Sequence, residues 1–334
     1  MNFDNIRLDK GLYTTGKSFT GALESIDPSE NYIGTELEGL DAFERQLKRF
    51  DIKVSGKNSD PIEKFFRTSD SATLFPEFIA RAVTQGVEAS NVLDSIVATT
   101  TKIDGLDYRS VTTEPGDTSY EPSVIAQGAF IPETTIETKD KLVTLHKYGR
   151  LLCASYEAIR FQRLDLFSVA LKQIGAAIAR TQLSMAISVL LYGDGNGNSA
   201  RSIAIDGDSI AYTDLVALWS TLSPYNLSTL IASPDIMQKL LALPEFRDSY
   251  KGLDFHATGK MVTPLGAELF KNDSMPENAL IGFDKSCCLE KVEAMPITTE
   301  YDKLIDRQLE RAAITTISGF SKIFDNSCVL LNCM

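Results

Sequence analysis

The sequence predicts a chain of mixed α+β class organised around one long buried helix. Three observations carry that expectation. From Asp165 to Tyr192 large apolar residues recur at steps of three, four and seven; the second half supplies short β-rich runs between turn residues; and residues 101–141 read as neither helix nor core. At 334 residues the chain exceeds the size at which one core is comfortable, so one large body with a lobe or two is expected rather than a string of modules.

Residues 1–71 are polar and interrupted by Gly and Pro, apart from Glu30 to Phe50. There Tyr32, Ile33, Leu37, Leu40, Phe43, Leu47 and Phe50 follow helical spacing, which predicts an amphipathic helix on a poorly packed N-terminal arm. Its stripe needs a partner surface, on this body or on a neighbouring subunit, and Tyr32, Leu37, Leu40, Phe43 and Leu47 are the expected contacts. The body is expected to start at Ser71, where Leu74, Phe75, Phe78, Ile79 and Val83 lead into a short helix, with another short apolar element over Val87 to Thr100.

Residues 101–141 carry Pro115, Pro122 and Pro132, many Thr and Ser, and scattered large apolar residues. Such a stretch cannot form a core, and its length inside a compact domain predicts a projecting two-stranded arm. Its scattered apolar residues (Leu106, Tyr108, Val124, Ile125, Phe130 and Ile131) are expected to gain their stability against a neighbour. A strand over Leu142 to Ala154 follows.

The long helix should begin at Asp165, placed to cap its first turn, and span roughly 40 Å. Phe167, Leu171, Ile174, Ile178, Met185 and Val189 form its buried face, and Gly193 with the run Asp194-Gly195-Asn196-Gly197-Asn198 ends it. Beyond it, Tyr212–Leu222 reads as helix and Leu227–Ala232 as buried strand. Ser233-Pro234-Asp235 opens another helix, with serine as cap and proline in first position. Residues 279–293 and 309–331 are mostly strand-like.

Composition excludes several functions. A formal net charge of −12 is the wrong sign for holding phosphates, so sequence-specific nucleic-acid binding is not expected. The longest uncharged apolar stretch, Thr181 to Gly193, is short for a bilayer span, and Met1 to Lys10 lacks the features of a signal peptide, so no membrane is expected as a partner. The odd set of cysteines (Cys153, Cys287, Cys288, Cys328 and Cys333) reads as reduced thiols. His146 and His256 have no metal-ligand partner at useful spacing. Asp194, Asn196 and Asn198 imitate the start of a calcium loop, but Ser199 replaces its glycine and Ile205 its bidentate glutamate. Nucleophile elbow, phosphate loop and dinucleotide fingerprint are absent, so no cofactor, metal or catalytic residue is assigned.

The order of elements carries a resemblance. Leu74-Phe75-Pro76-Glu77-Phe78 enters a helix, an extended Pro- and Thr-rich segment and a strand follow, and the long helix closes on Leu190-Leu191-Tyr192-Gly193-Asp194-Gly195-Asn196-Gly197. Downstream stand Leu230-Ile231-Ala232-Ser233-Pro234-Asp235 and Ile281-Gly282-Phe283-Asp284. Together, over about residues 71 to 334, these resemble the major capsid proteins of tailed phages with the Hong Kong 97 type fold.

That resemblance implies an N-terminal arm (1–71) and a peripheral domain (72–100, 142–209 and 300–334) holding a spine helix (165–192). It further implies an extended β-hairpin loop (101–141) and an axial domain (210–299). The implied function is a non-enzymatic shell subunit: copies assemble as hexamers and pentamers into an icosahedral head enclosing double-stranded DNA. Portal and scaffolding or decoration proteins would be its other partners, and the virion, assembled in the host cytoplasm, its location. The isopeptide crosslink of some relatives is not expected, since its asparagine and glutamate positions fall near Arg307 and Ile314. Two alternatives stand beside this reading: an encapsulin-like nanocompartment shell, and a carboxylate- or metal-dependent hydrolase.

Overall fold

The computed structural model describes residues 3–13, 18–90, 92–112, 124–128, 130–131, 136–205, 210–247 and 261–333. His256 and the three loop prolines lie outside the described residues. In chain order, helices α1 (Phe19–Ile26), α2 (Ala42–Arg49), α3 (Ser69–Thr73) and α4 (Phe75–Ala89) precede strands β1 (Thr99–Lys102), β2 (Val111–Thr112), β3 (Glu137–Thr138) and β4 (Leu145–Ser155). Helices α5 (Tyr156–Phe161) and α6 (Leu164–Tyr192) come next, then β5 (Arg201–Ile205), α7 (Tyr212–Thr221), β6 (Thr229–Ala232), α8 (Pro234–Ala242) and α9 (Pro244–Arg247). Strands β7 (Glu268–Lys271), β8 (Ala279–Phe283), β9 (Leu289–Leu304), β10 (Leu309–Lys322) and β11 (Cys328–Cys333) complete the chain. Sheet orders are β1-β9-β10-β4, β5-β11-β8-β6-β7, and the pair β2-β3.

Two compact units result. The first comprises Met1–Asn91, Lys147–Arg180 and Pro296–Thr316; the second comprises Val92–His146, Thr181–Met295 and Ile317–Met334. In the first unit Phe65, Phe75 and Phe78 form an aromatic cluster, with Phe65 5.5 Å from each of the other two ring centroids. Ile79 and Val83 of α4 and Leu171 and Ile178 of α6 extend that core. The two helices approach so closely that a Cβ at Gly175 would stand 2.1 Å from the Val83 carbonyl oxygen, and one at Gly86 would stand 2.2 Å from that of Lys172.

The N-terminal segment is not poorly packed. Leu8, Phe19, Leu23, Phe43, Leu47, Ile52 and Ile62 are buried in this same core. Nor is Glu30 to Phe50 one helix. A 3-10 turn at Ser29–Tyr32 gives way to Gly34 and Gly39 at φ +78° and +82°, a left-handed backbone incompatible with a continuing helix. The helix restarts because Asp41 caps it: the Glu44 N–H donates to Asp41 Oδ1 at 2.8 Å, and the Asp41 N–H returns to Glu44 Oε2 at 3.1 Å. This start lets Arg45 turn inward, fully buried, where its Nε donates to Asp27 Oδ2 at 2.9 Å and its guanidinium lies 4.4 Å from the Tyr32 ring centroid.

In the second unit, alternation along the five-stranded sheet separates two apolar layers. Leu230, Ala232, Leu280, Val329 and Leu331 face Leu215 and Leu218 of α7 and Leu240 of α8. Ile231, Ala279, Ile281, Phe283 and Leu330 face Leu183, Ile187 and Leu190 of α6. Strands covered on both faces read as continuous apolar runs, which is why β6 and β8 were visible in the sequence. Helix α6 is long and apolar enough to cross a bilayer, yet it contributes to these protein cores. Ser233 stands at the N-cap of α8 and Pro234 in its first position, but the serine hydroxyl makes no capping hydrogen bond.

Candidate functional site: the roots of the extended loop

Strand β2 pairs antiparallel with β3, Val111 opposite Thr138 and Thr112 opposite Glu137, so the outgoing and returning limbs of the loop run side by side at these residues within the second unit. Two more backbone bonds tie its limbs, from Lys139 N–H to the Ser110 carbonyl at 2.9 Å and from Val143 N–H to the Tyr108 carbonyl at 2.8 Å. Each limb is then anchored by one carboxylate.

Glu290 anchors the outgoing limb. Parallel pairing of β1 with β9 sets Thr99 opposite Glu290 and brings the nearby Thr101 hydroxyl to its Oε1. Tyr108 Oη donates to the same oxygen at 2.7 Å, and Ser110 Oγ donates to Oε2. Burial first, then the bond to Glu290, holds the Tyr108 phenol above its ordinary pKa. A buried carboxylate must have its lone pairs occupied, and here three hydroxyls from the loop occupy them.

Asp194 anchors the returning limb. Gly193, Gly195 and Gly197 all have positive φ (+84°, +95° and +79°), and this turn folds the Asp194 side chain inward at the end of α6. Its Oδ2 receives Lys139 Nζ at 3.2 Å, Ser321 Oγ at 2.8 Å and the Lys322 N–H at 3.1 Å; its Oδ1 receives Asn196 Nδ2 at 2.9 Å. Lys139 Nζ also donates to the Lys322 carbonyl, and Lys322 Nζ donates to the Asn198 carbonyl at 2.6 Å. Burial alone would push the Asp194 carboxyl up. The Asn196 hydrogen bond, the Lys139 ammonium and the bonds from Ser321 and Lys322 outweigh it and hold the pKa down at about 2. Lys141 adds its N–H to Asn196 Oδ1 at 3.0 Å.

Among the described residues of this loop several apolar side chains are exposed. Phe130 is 100% exposed, and Leu106, Val124, Ile125 and Ile131 are exposed as well. Tyr108 differs, being half-buried and committed to Glu290. Of the N-terminal residues expected at a subunit contact, Tyr32, Phe43 and Leu47 are buried in their own chain, leaving only Leu37 and Leu40 half-exposed. Sequence reading missed Glu290, Lys139 and Lys322; nothing local marks an acid or lysine whose partner is more than a hundred residues away. His146 is exposed on β4, and among the described residues no group of three His, Cys, Asp or Glu could hold a metal ion. Cys153, Cys287, Cys288 and Cys328 are free thiols. Arg307 is exposed and Ile314 buried.

The phage capsid protein family matches residues 138–312, just over half of the chain. The fold is shared with the virus-like particle from Pyrococcus furiosus at TM-score 0.54 and 15% identity, covering 77% of this chain and 99% of that one. It is shared with the capsid of a native GTA particle at TM-score 0.55 and 13% identity, covering 73% and 90%. The capsid of cyanophage P-SCSP1u gives TM-score 0.52 at 15% identity, covering 73% and 88%. No curated protein matches by sequence. The fold is therefore the Hong Kong 97-like capsid fold.

Proposed function

The chain belongs to the phage capsid protein family, and on that premise we propose that it is the structural subunit of an icosahedral phage head, self-assembling into hexamers and pentamers that enclose double-stranded DNA. One observation carries the reading: a loop fixed at both roots by buried carboxylates carries, among its described residues, apolar side chains that are exposed. Fixed roots set the loop's direction before assembly, which lowers the ordering cost of binding a neighbour. Full burial of each Phe, Ile or Val contributes about 1.5–3 kcal/mol, so a few such contacts per subunit, repeated around a closed shell, suffice.

In this reading residues 210–299 form the axial domain, holding β6, β7 and β8 of a sheet whose β5 and β11 come from outside that span, and residues 101–141 form the extended loop. Leu106, Val124, Ile125, Phe130 and Ile131 make the loop's intersubunit contacts, and Leu37 and Leu40 those of the N-terminal segment. A net charge of −12 suits a wall that lies beside packed DNA without adhering to it. Portal and scaffolding or decoration proteins complete the head, which assembles in the host cytoplasm. The likeness to a virus-like particle favours one second reading, a compartment shell that encloses protein cargo.

Electron microscopy of the chain expressed alone and beside its neighbouring genes tests the proposal. Closed icosahedral shells, or hexamers and pentamers that convert to them, are expected. A stable monomer under every condition overturns it, and shells that purify with protein cargo and no DNA from their phage context select the compartment reading.

A further inference from the structure

The turn that closes α6 contains Asn196-Gly197, the one Asn-Gly pair in the sequence. An asparagine before glycine carries an unusually reactive amide, because no side chain shields the following backbone nitrogen from the asparagine Cγ. Gly197 is exposed with φ at +79°, and a Cβ placed on it would meet nothing within 4 Å. Among the described residues nothing accepts a hydrogen bond from its N–H, so the nucleophile stands open.

The electrophile does not. Asn196 Nδ2 donates to Asp194 Oδ1 at 2.9 Å, and Asn196 Oδ1 accepts the Lys141 N–H at 3.0 Å, so the side-chain amide is held at both ends. Both partners are fixed in turn. Asp194 is held by Lys139, Ser321 and Lys322, and its own N–H donates to Asn198 Oδ1 at 3.0 Å, while the Lys141 ammonium donates to the Gly195 carbonyl. Ring closure needs Asn196 Cγ to swing onto the Gly197 nitrogen, a rotation that breaks both amide hydrogen bonds. Lys141 lies on the returning limb of the loop, and Lys139, two residues before it, pins that limb to Asp194. Lifting the limb therefore removes one of the two bonds and loosens the acceptor of the other.

We infer that Asn196 is a site of spontaneous deamidation, held unreacted while the returning limb is docked and released when the limb lifts. In the reaction the Gly197 nitrogen forms a bond to Asn196 Cγ, the Cγ–Nδ2 bond breaks, and the Gly197 proton passes through water to the departing nitrogen, which leaves as ammonia. Water then adds to either carbonyl of the five-membered imide: opening at Cγ gives aspartate, and opening at the backbone carbon gives isoaspartate. The product has lost the donor to Asp194 and sets a carboxylate beside it. Of the contacts that hold the Asp194 carboxyl down against burial, the bond from Asn196 comes first, so its replacement by a like charge weakens the root that had guarded the amide. Guard and product lie within one chain, whether or not copies assemble.

Full-length protein kept in mildly alkaline buffer, native or unfolded in urea, tests the inference, with the peptide spanning Asn196 followed by mass spectrometry for the exchange of amide for acid. The native protein is expected to react roughly tenfold or more slowly than the unfolded chain. Lys141→Pro deletes the N–H on Asn196 Oδ1 and Lys139→Ala unpins the limb from Asp194; each is expected to speed the native reaction several-fold, and either one suffices if circular dichroism shows it folded. A native rate equal to the unfolded one, or a folded variant reacting at the wild-type rate, overturns the guard. Asn196→Asp, which installs the product, should accelerate amide exchange at Lys139, and unchanged exchange there overturns the weakening of the root.

Discussion

Asp194 concentrates the energetics of the loop root in one side chain. Its folded pKa of about 2 lies below that of an unfolded aspartate, about 3.9. A depressed acid contributes stability that is fully present above the unfolded value and is lost as pH falls towards the folded one, here between about pH 4 and pH 2. Asp194→Asn leaves the Lys139 ammonium buried without its carboxylate and is expected to cost about 3–5 kcal/mol at neutral pH. Urea melts across a pH series should show both that loss and a shallower decline below pH 4; a wild-type slope would exclude Asp194 as its source. Arg45 is the corresponding residue of the first unit, with Nη1 donating to Ser29 Oγ at 2.9 Å and to the Leu40 carbonyl at 2.7 Å besides its pair with Asp27. Arg45→Ala strands the Asp27 carboxylate, and chemical denaturation is expected to register a loss of about 3–5 kcal/mol.

Among the elements, the crossing of α4 on α6 has no room for a methyl group at Gly86 or Gly175, because backbone atoms face both positions. Gly175→Ala must part the helices, an overpacking cost of about 1–3 kcal/mol or more that outweighs alanine's better helix propensity. A lowered thermal midpoint measures it; an unchanged one would mean that the helices part freely. At the loop root, Glu290→Ala removes the common acceptor of Thr101, Tyr108 and Ser110. Leaving buried hydroxyls unsatisfied costs about 1–3 kcal/mol, so amide exchange at Lys139 and Val143, whose N–H groups tie the two limbs, should accelerate about tenfold or more. Unchanged exchange would place the anchoring elsewhere.

For the whole molecule, folding and assembly draw on separate sets of side chains. The cores hold Phe65, Phe75, Phe283 and Leu230, whereas Phe130 and Ile131 belong to none of them. Replacing both by serine is therefore expected to change monomer stability by no more than about 0.5 kcal/mol. The same double substitution should weaken each subunit contact by about 3–6 kcal/mol, raising the concentration needed for shells, as read by light scattering. Assembly at the wild-type concentration would remove the loop tip from the interface.

What the sequence by itself determined is what depends on neighbours along the chain. The period of α6, its stop at Gly193, the apolar runs of β6 and β8 and the incapacity of residues 101–141 to form a core are all set by residues within one or two turns of each other. The order of those elements was enough to expose the capsid fold. Local reading failed where local signals conflicted: the stripe from Tyr32 to Phe50 has helical spacing, but Gly34 and Gly39 break it, and Phe43 and Leu47 are buried in the core of their own chain. Only the tertiary structure decided which charges meet. Glu290 receives Thr101 across 189 positions and Asp194 receives Lys322 across 128, and no periodicity reaches that far. Such pairs exist because a carboxylate carried inward by the packing of strands must take up whatever donors the fold delivers to it, and the fold delivers the two roots of the loop.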